Sequence, residues 1–169
     1  MSGHSKWSQI KHKKALTDKK KGQIFSKLSR LITLAAKKGS DPKSNPSLSQ
    51  AIDNAKAVNM PNENIGRAIK KVSEKDQAQL EELSIEALGP GGVALKIKAI
   101  TDNRNRTMAE IKKILTENNS KLVQPGSLSW MFNNPLTLDD VSTLEQVTTL
   151  FEALDDQDEV EDVVSNLES

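Results

Sequence analysis

The sequence predicts an α+β protein: a basic three-helix domain over residues 1–75, followed by a small mixed-sheet domain with two helices over residues 80–169. Three observations carry this expectation. Apolar residues recur at helical spacing as far as Val72, the period changes to two after Gln79, and the charge separates toward the two ends of the chain. Residues 1–75 hold 17 Lys and Arg against 5 Asp and Glu, a net of +12, whereas residues 136–169 hold 11 acids and no base, a net of −11. The formal total of +1 therefore conceals a concentrated positive field at one end, of the kind that attracts polyanions over about a Debye length.

Each element follows from local chemistry. Residues 1–22 lack apolar periodicity and read as a basic arm leading into a helix. From Ile24 the spacing Ile24, Leu28, Leu31, Ala35 gives an amphipathic helix that stops near Gly39. Asn45 and Pro46 supply an N-cap and a first-turn proline for a second helix, buried through Leu48, Ala51, Ile52 and Ala55. Pro61 opens a third, with Ile65, Ala68, Ile69 and Val72 on its apolar side. Beyond Gln79, Leu83, Ile85 and Ala87 alternate with polar residues, as do Val93, Leu95, Ile97 and Ala99 after Gly89-Pro90-Gly91-Gly92, which predicts a hairpin over 82–100. The capping boxes Thr107 to Glu110 and Ser142 to Glu145 predict helices over 107–118 and 143–154, and alternation predicts strands over 127–132 and 159–165.

Composition narrows the chemistry. Cysteine is absent, which removes disulfides, thiolate metal sites and a cysteine nucleophile and fits a reducing cytoplasm. No apolar run approaches the roughly 18 residues of a membrane span, and no apolar segment follows the charged start, so no membrane partner and no secretion are expected. No nucleophile elbow, zinc-binding histidine pair or Walker sequence occurs, so the reading is a non-enzyme with no cofactor, no metal and no small-molecule substrate. Aromatic residues are only 3% of the chain, so base stacking cannot be the main means of holding a nucleic acid, and phosphate contacts remain.

The candidate nucleic-acid-binding residues are His4, Ser5, Lys6, Trp7, Lys11, His12, Lys13 and Lys14 in the arm, continued by Lys19, Lys20, Lys21, Lys27 and Arg30. Lysines following one another on an arm and then on one helix surface can track phosphates, and Trp7 can stack on a base or anchor the arm. A solubilising tail is the plainer alternative. Arg104 and Arg106, in Asp102-Asn103-Arg104-Asn105-Arg106-Thr107, form a candidate anion site beside the free N–H groups of a helix start, set against a loop in which Asp102 pairs with an arginine. Gly89 to Gly92 reads as a turn because a strand follows it, and the acidic run from Asp155 to Asp162 reads as a solvated edge because it lacks the glycine and glutamate of a calcium loop.

Several strings in order carry a resemblance: Gly3-His4-Ser5-Lys6-Trp7, Ile10-Lys11-His12-Lys13, Asn59-Met60-Pro61, Gly89 to Ala94, Thr101 to Thr107, and Gly126-Ser127 with Trp130-Met131-Phe132. Together they resemble the YebC/PmpR family. The resemblance implies a nucleic-acid-binding regulator, either a DNA-binding transcriptional regulator or, as for mitochondrial and some bacterial members, a translation factor acting at the ribosome, notably on proline-rich stretches. The partner so implied is duplex DNA or ribosomal RNA, with the ribosome itself a candidate. The family usually carries a third domain inserted after Phe132, where this sequence has only Asn133-Asn134-Pro135 and a short polar segment. No helix displays a row of Arg, Asn or Gln suited to reading the major groove, which favours ribosomal RNA over sequence-specific DNA.

Overall fold

The fold follows from a computed structural model that describes residues 18–73 and 79–168. Helix α1 spans Asp18–Ala36 and ends before Gly39, whose φ of 147° is open to glycine. Helix α2 spans Pro46–Ala57, capped by Asn45 as its sequence predicts: the Asn45 Oδ1 accepts from the Leu48 N–H at 3.2 Å. The same amide donates to the carbonyls of Ala35 and Gly39, both at 2.8 Å, so one buried side chain ties the end of α1 to the start of α2. Asn59 (φ 63°) turns the chain out of α2, Met60 drops into the core, and α3 runs over Asn62–Lys70. The motif Asn59-Met60-Pro61 is thus a helix stop, a core residue and a helix start in succession.

The three helices bury Ile32, Ala35, Ala36, Leu48, Ala51, Ala55, Met60, Ile65 and Ala68 together. Alanine at so many contact positions lets the backbones approach closely. Thr33 exploits that approach by donating its hydroxyl to the Ala68 carbonyl at 2.7 Å, near the C-terminal end of α3, where carbonyls lack helical partners.

The second part is a four-stranded antiparallel sheet in the order β3-β1-β2-β4, with β1 at Glu81–Leu88, β2 at Ala94–Thr101, β3 at Lys121–Val123 and β4 at Val160–Ser165. The mixed element is one parallel bridge, Leu136 to Leu167. Helices α4 (Arg104–Glu117) and α5 (Val141–Asp156) give Ile111, Leu115, Val147, Leu150, Phe151 and Leu154 to a core with Leu83, Ile85, Ala87, Leu95 and Ile97. Those strand residues share one parity, so both helices cover one face of the sheet. Gly91 lies in the β1–β2 turn at φ 71°, where an added Cβ would stand 2.7 Å from Thr143 Cγ2 and 3.0 Å from a Leu138 methyl.

The described residues divide into two units: one holds residues 18–81 with Ile100–Asn103, the other Glu82–Ala99 with residues 104–168.

Three local expectations are corrected. Residues 127–132 are not a strand: Gly126 (φ 89°) turns the chain, the Ser127 and Ser129 hydroxyls bond carbonyls three residues back, and Ser129–Asn133 forms a 3-10 turn. The alternation of Leu128, Trp130 and Phe132 imitated a strand, while β3 lies earlier, at Lys121–Val123. Thr107 is no cap either, because α4 begins at Arg104 and buries Thr107, whose hydroxyl bonds Glu159. Helix α5 starts before Ser142, with Asp140 as its N-cap accepting from the Thr143 N–H at 3.0 Å and hydroxyl at 2.6 Å. The Thr143 hydroxyl first, then its N–H, hold the Asp140 carboxyl below its ordinary pKa, since both bonds favour the ionised form.

Candidate nucleic-acid interface

His4, Ser5, Lys6, Trp7, Lys11, His12, Lys13 and Lys14 lie outside the described residues. The rest of the expected basic face begins on the first turn of α1, where Lys19 and Lys21 are exposed and Lys20 is half-buried. One helix repeat further on the face changes character. Lys27 is only 8% exposed and Arg30 is half-buried, so Lys27 does not extend the solvent-facing row that its spacing from Arg30 suggests.

The first unit has further cations that helical spacing on α1 did not single out. Lys37, Lys38 and Lys43 are exposed after α1, Lys56 closes α2, and Arg67, Lys70 and Lys71 end α3. Their signal in the sequence is positional, since basic residues in the last turn of a helix suit its negative dipole end, a structural reason that masks any binding role. The side chains that could read bases are engaged with one another. On α2 the Gln50 amide donates to Asn54 Oδ1 at 3.0 Å, and on α3 Arg67 donates to Asn64 Oδ1 at 2.8 Å and lies 3.9 Å from Glu63.

Arg104 is exposed as the first residue of α4, and Arg106 meets the Glu159 carboxylate at 3.1 Å. The same Glu159 oxygen accepts from the Thr107 hydroxyl and the Gln157 amide, both at 3.2 Å, so the Arg106 charge is largely neutralised within the fold. The Glu159 carboxylate is 53 positions from Arg106 in sequence, a partner that spacing could not show. Among the described residues, no cluster of three or more His, Asp or Glu is placed to hold a metal ion, and no helix is long and apolar enough to cross a membrane.

Residues 5–75 match the TACO1/YebC protein N-terminal domain, and residues 80–135 match the TACO1/YebC second and third domain. The chain belongs to the TACO1/YebC family. A protein of Prosthecochloris aestuarii named "Probable transcriptional regulatory protein" is 55% identical over 141 residues, covering 82% of this chain and 56% of its own length. A similarly named protein of Chlorobium phaeobacteroides strain BS1 is 49% identical, covering 96% of this chain and 68% of its own. Among such relatives the TACO1/YebC chain described here spans between 53% and 68% of the relative's length. A crystal structure of the conserved hypothetical protein Aq1575 from Aquifex aeolicus is similar with a TM-score of 0.85 and 30% identity, over 97% of each chain.

Proposed function

We propose that this TACO1/YebC chain binds nucleic acid through its basic residues 1–75 and regulates gene expression as a cytoplasmic, ribosome-associated translation factor that contacts ribosomal RNA, without catalysis. The observation that carries the reading is the +12 net charge of residues 1–75, made by 17 bases against 5 acids. Such a field holds phosphates at any sequence. The mutual engagement of Gln50 with Asn54 and of Arg67 with Asn64 further supports phosphate contact over readout of a DNA major groove. Within the reading, His4, Ser5, Lys6, Trp7, Lys11, His12, Lys13, Lys14, Lys19, Lys20, Lys21, Lys27 and Arg30 remain the candidate contacts, Lys27 only if it leaves its buried position. Arg104 is a secondary anion contact, and Arg106 joins it only by releasing Glu159.

A second reading, a transcriptional regulator on duplex DNA, is favoured by the name the relatives carry. The two separate cleanly in solution. The intact chain is titrated by anisotropy against a ribosomal RNA fragment and against unrelated DNA duplexes, from about 50 to about 200 mM salt. About four phosphate contacts would lower affinity on the order of a hundredfold over that range. Discrimination among duplexes is expected to be about tenfold or less, far below the roughly 10³ of a specific DNA regulator. Co-sedimentation with ribosomes is expected, and to be lost when Lys11, Lys13 and Lys14 are replaced by Glu. One protected promoter sequence at physiological salt, with no ribosomal association, would establish the DNA reading instead.

A further inference from the structure

Only five aromatic residues occur in the chain, three Phe and two Trp. Phe151 lies in the core of the second unit and Phe25 packs against that of the first. Trp130 does the opposite and is 66% exposed. The loop that carries it is held at both ends by buried polar side chains. Glu86, on the face of the sheet away from the helices and 5% exposed, accepts from the Gly126 N–H at 2.5 Å and the Leu128 N–H at 3.3 Å. Asn166, also buried, accepts from the Ala94 N–H at 2.9 Å and donates to the carbonyls of Met131 and Asn134 at 3.4 Å. Within the loop the Asn134 amide donates to the Trp130 carbonyl at 2.6 Å. An indole held in water on a fixed backbone has already met the ordering cost that binding would otherwise impose.

The loop's own sequence suits an anionic ligand, although the Glu168 carboxylate accepts from the Thr137 hydroxyl at its far end. From Asn118 to Leu138 there is no Asp or Glu, and Lys121 is the one charged residue. The Lys96 ammonium stands 5.6 Å from the centre of the Phe132 ring, two residues beyond Trp130. Lys96 faces Val164 across the β2–β4 ladder, whereas Lys98 faces Asp162. Glu86, the nearest acid by connectivity, is committed to the loop's N–H groups. A partner protein anchored on a tryptophan would need no such acid-free stretch, whereas a phosphate backbone does.

We infer that Trp130 stacks on an unpaired base of a single-stranded RNA and that Lys96 contacts a neighbouring phosphate. The inference rests on the nucleic-acid reading above and adds a second contact site, on the second unit. Stacking is tolerant of sequence because every base offers a π face, and its loss typically weakens single-strand binding about five- to a hundredfold.

The test uses the full chain and a labelled, unstructured RNA 12-mer, with a DNA 12-mer of the same sequence and an RNA duplex as further arms. Trp130→Ala is expected to weaken the RNA single strand by about five- to a hundredfold with the duplex unaffected, Trp130→Phe to restore part of the loss, and far-UV circular dichroism to stay unchanged. Lys96→Gln is expected to reduce the salt slope by roughly 0.7. In a Trp7→Phe background, where Trp130 is the remaining tryptophan, the RNA single strand should quench the fluorescence. A Trp130→Ala protein that binds single strands within twofold of wild type, while both still bind RNA, overturns the stacking site and leaves the first-unit reading standing. Tighter Trp130-dependent binding of the DNA strand than of the RNA, or Trp130-dependent association between protein chains, overturns RNA as the occupant. Failure of the intact chain to bind any nucleic acid overturns the broader reading as well.

Discussion

Glu86→Ala measures how strongly the loop bearing Trp130 is fixed. The substitution removes the acceptor of two backbone N–H groups, one of which, Leu128, lies on a buried residue. Hydrogen bonds to a charged group contribute about 1.5–3 kcal/mol each, and a buried donor left without an acceptor costs about 1–3 kcal/mol. Two effects reduce that sum: water can reach the exposed Gly126, and removing the carboxylate cancels its own desolvation cost. The net expectation is a loss of about 2–3 kcal/mol. Glu86→Gln keeps one oxygen but turns an NH₂ toward the other donor, and should cost about 1–2 kcal/mol. Urea unfolding followed by far-UV circular dichroism, with Trp130 fluorescence in the Trp7→Phe background, reads both quantities. With an m-value of about 1–2 kcal/mol per molar for a small unit, Glu86→Ala should lower the midpoint by about 1–3 M. A Glu86→Ala protein within about 0.5 kcal/mol of wild type, with an unchanged emission spectrum, would refute the claim that Glu86 holds the loop.

Thr33→Val keeps the side-chain shape but leaves the Ala68 carbonyl without its donor, so equilibrium unfolding should show a loss of about 1–2 kcal/mol in the first unit, and no loss would remove the tie between α1 and α3. Gly91→Ala should destabilise the second unit by about 1–3 kcal/mol, since φ is positive and Thr143 stands in the way; a neutral result by thermal melting would mean the turn relaxes freely. Asp140 has a folded pKa below its unfolded one, so the unfolded chain takes up a proton first. Its stabilisation is complete above about pH 4 and disappears as pH falls through the folded value. The stability gap between wild type and Asp140→Ala, followed by denaturation from pH 7 to pH 2, should therefore close on the acid side, and a gap independent of pH would dismiss the cap.

Features that depend only on neighbours in the chain were legible from the sequence. The helix stripes from Ile24 to Val72, the Asn45 cap and the Gly89 to Gly92 turn are effects within four residues, and the structure has them in place. The net charge of residues 1–75 is likewise a sum that needs no coordinates. Tertiary structure decided whatever depends on a distant partner. Alternation at Leu128, Trp130 and Phe132 satisfied the pattern of a strand, yet Glu86, about forty positions earlier, supplies acceptors that hold the segment as a turn, and Trp130 faces water instead of a core. Thr107 had the local form of a cap, but Glu159 took its hydroxyl and the Arg106 charge with it. Lys27 lay one helical turn from Arg30 on paper, and packing buried it. Periodicity reports which side chains share a face; which face meets water is settled by what the rest of the chain brings against it.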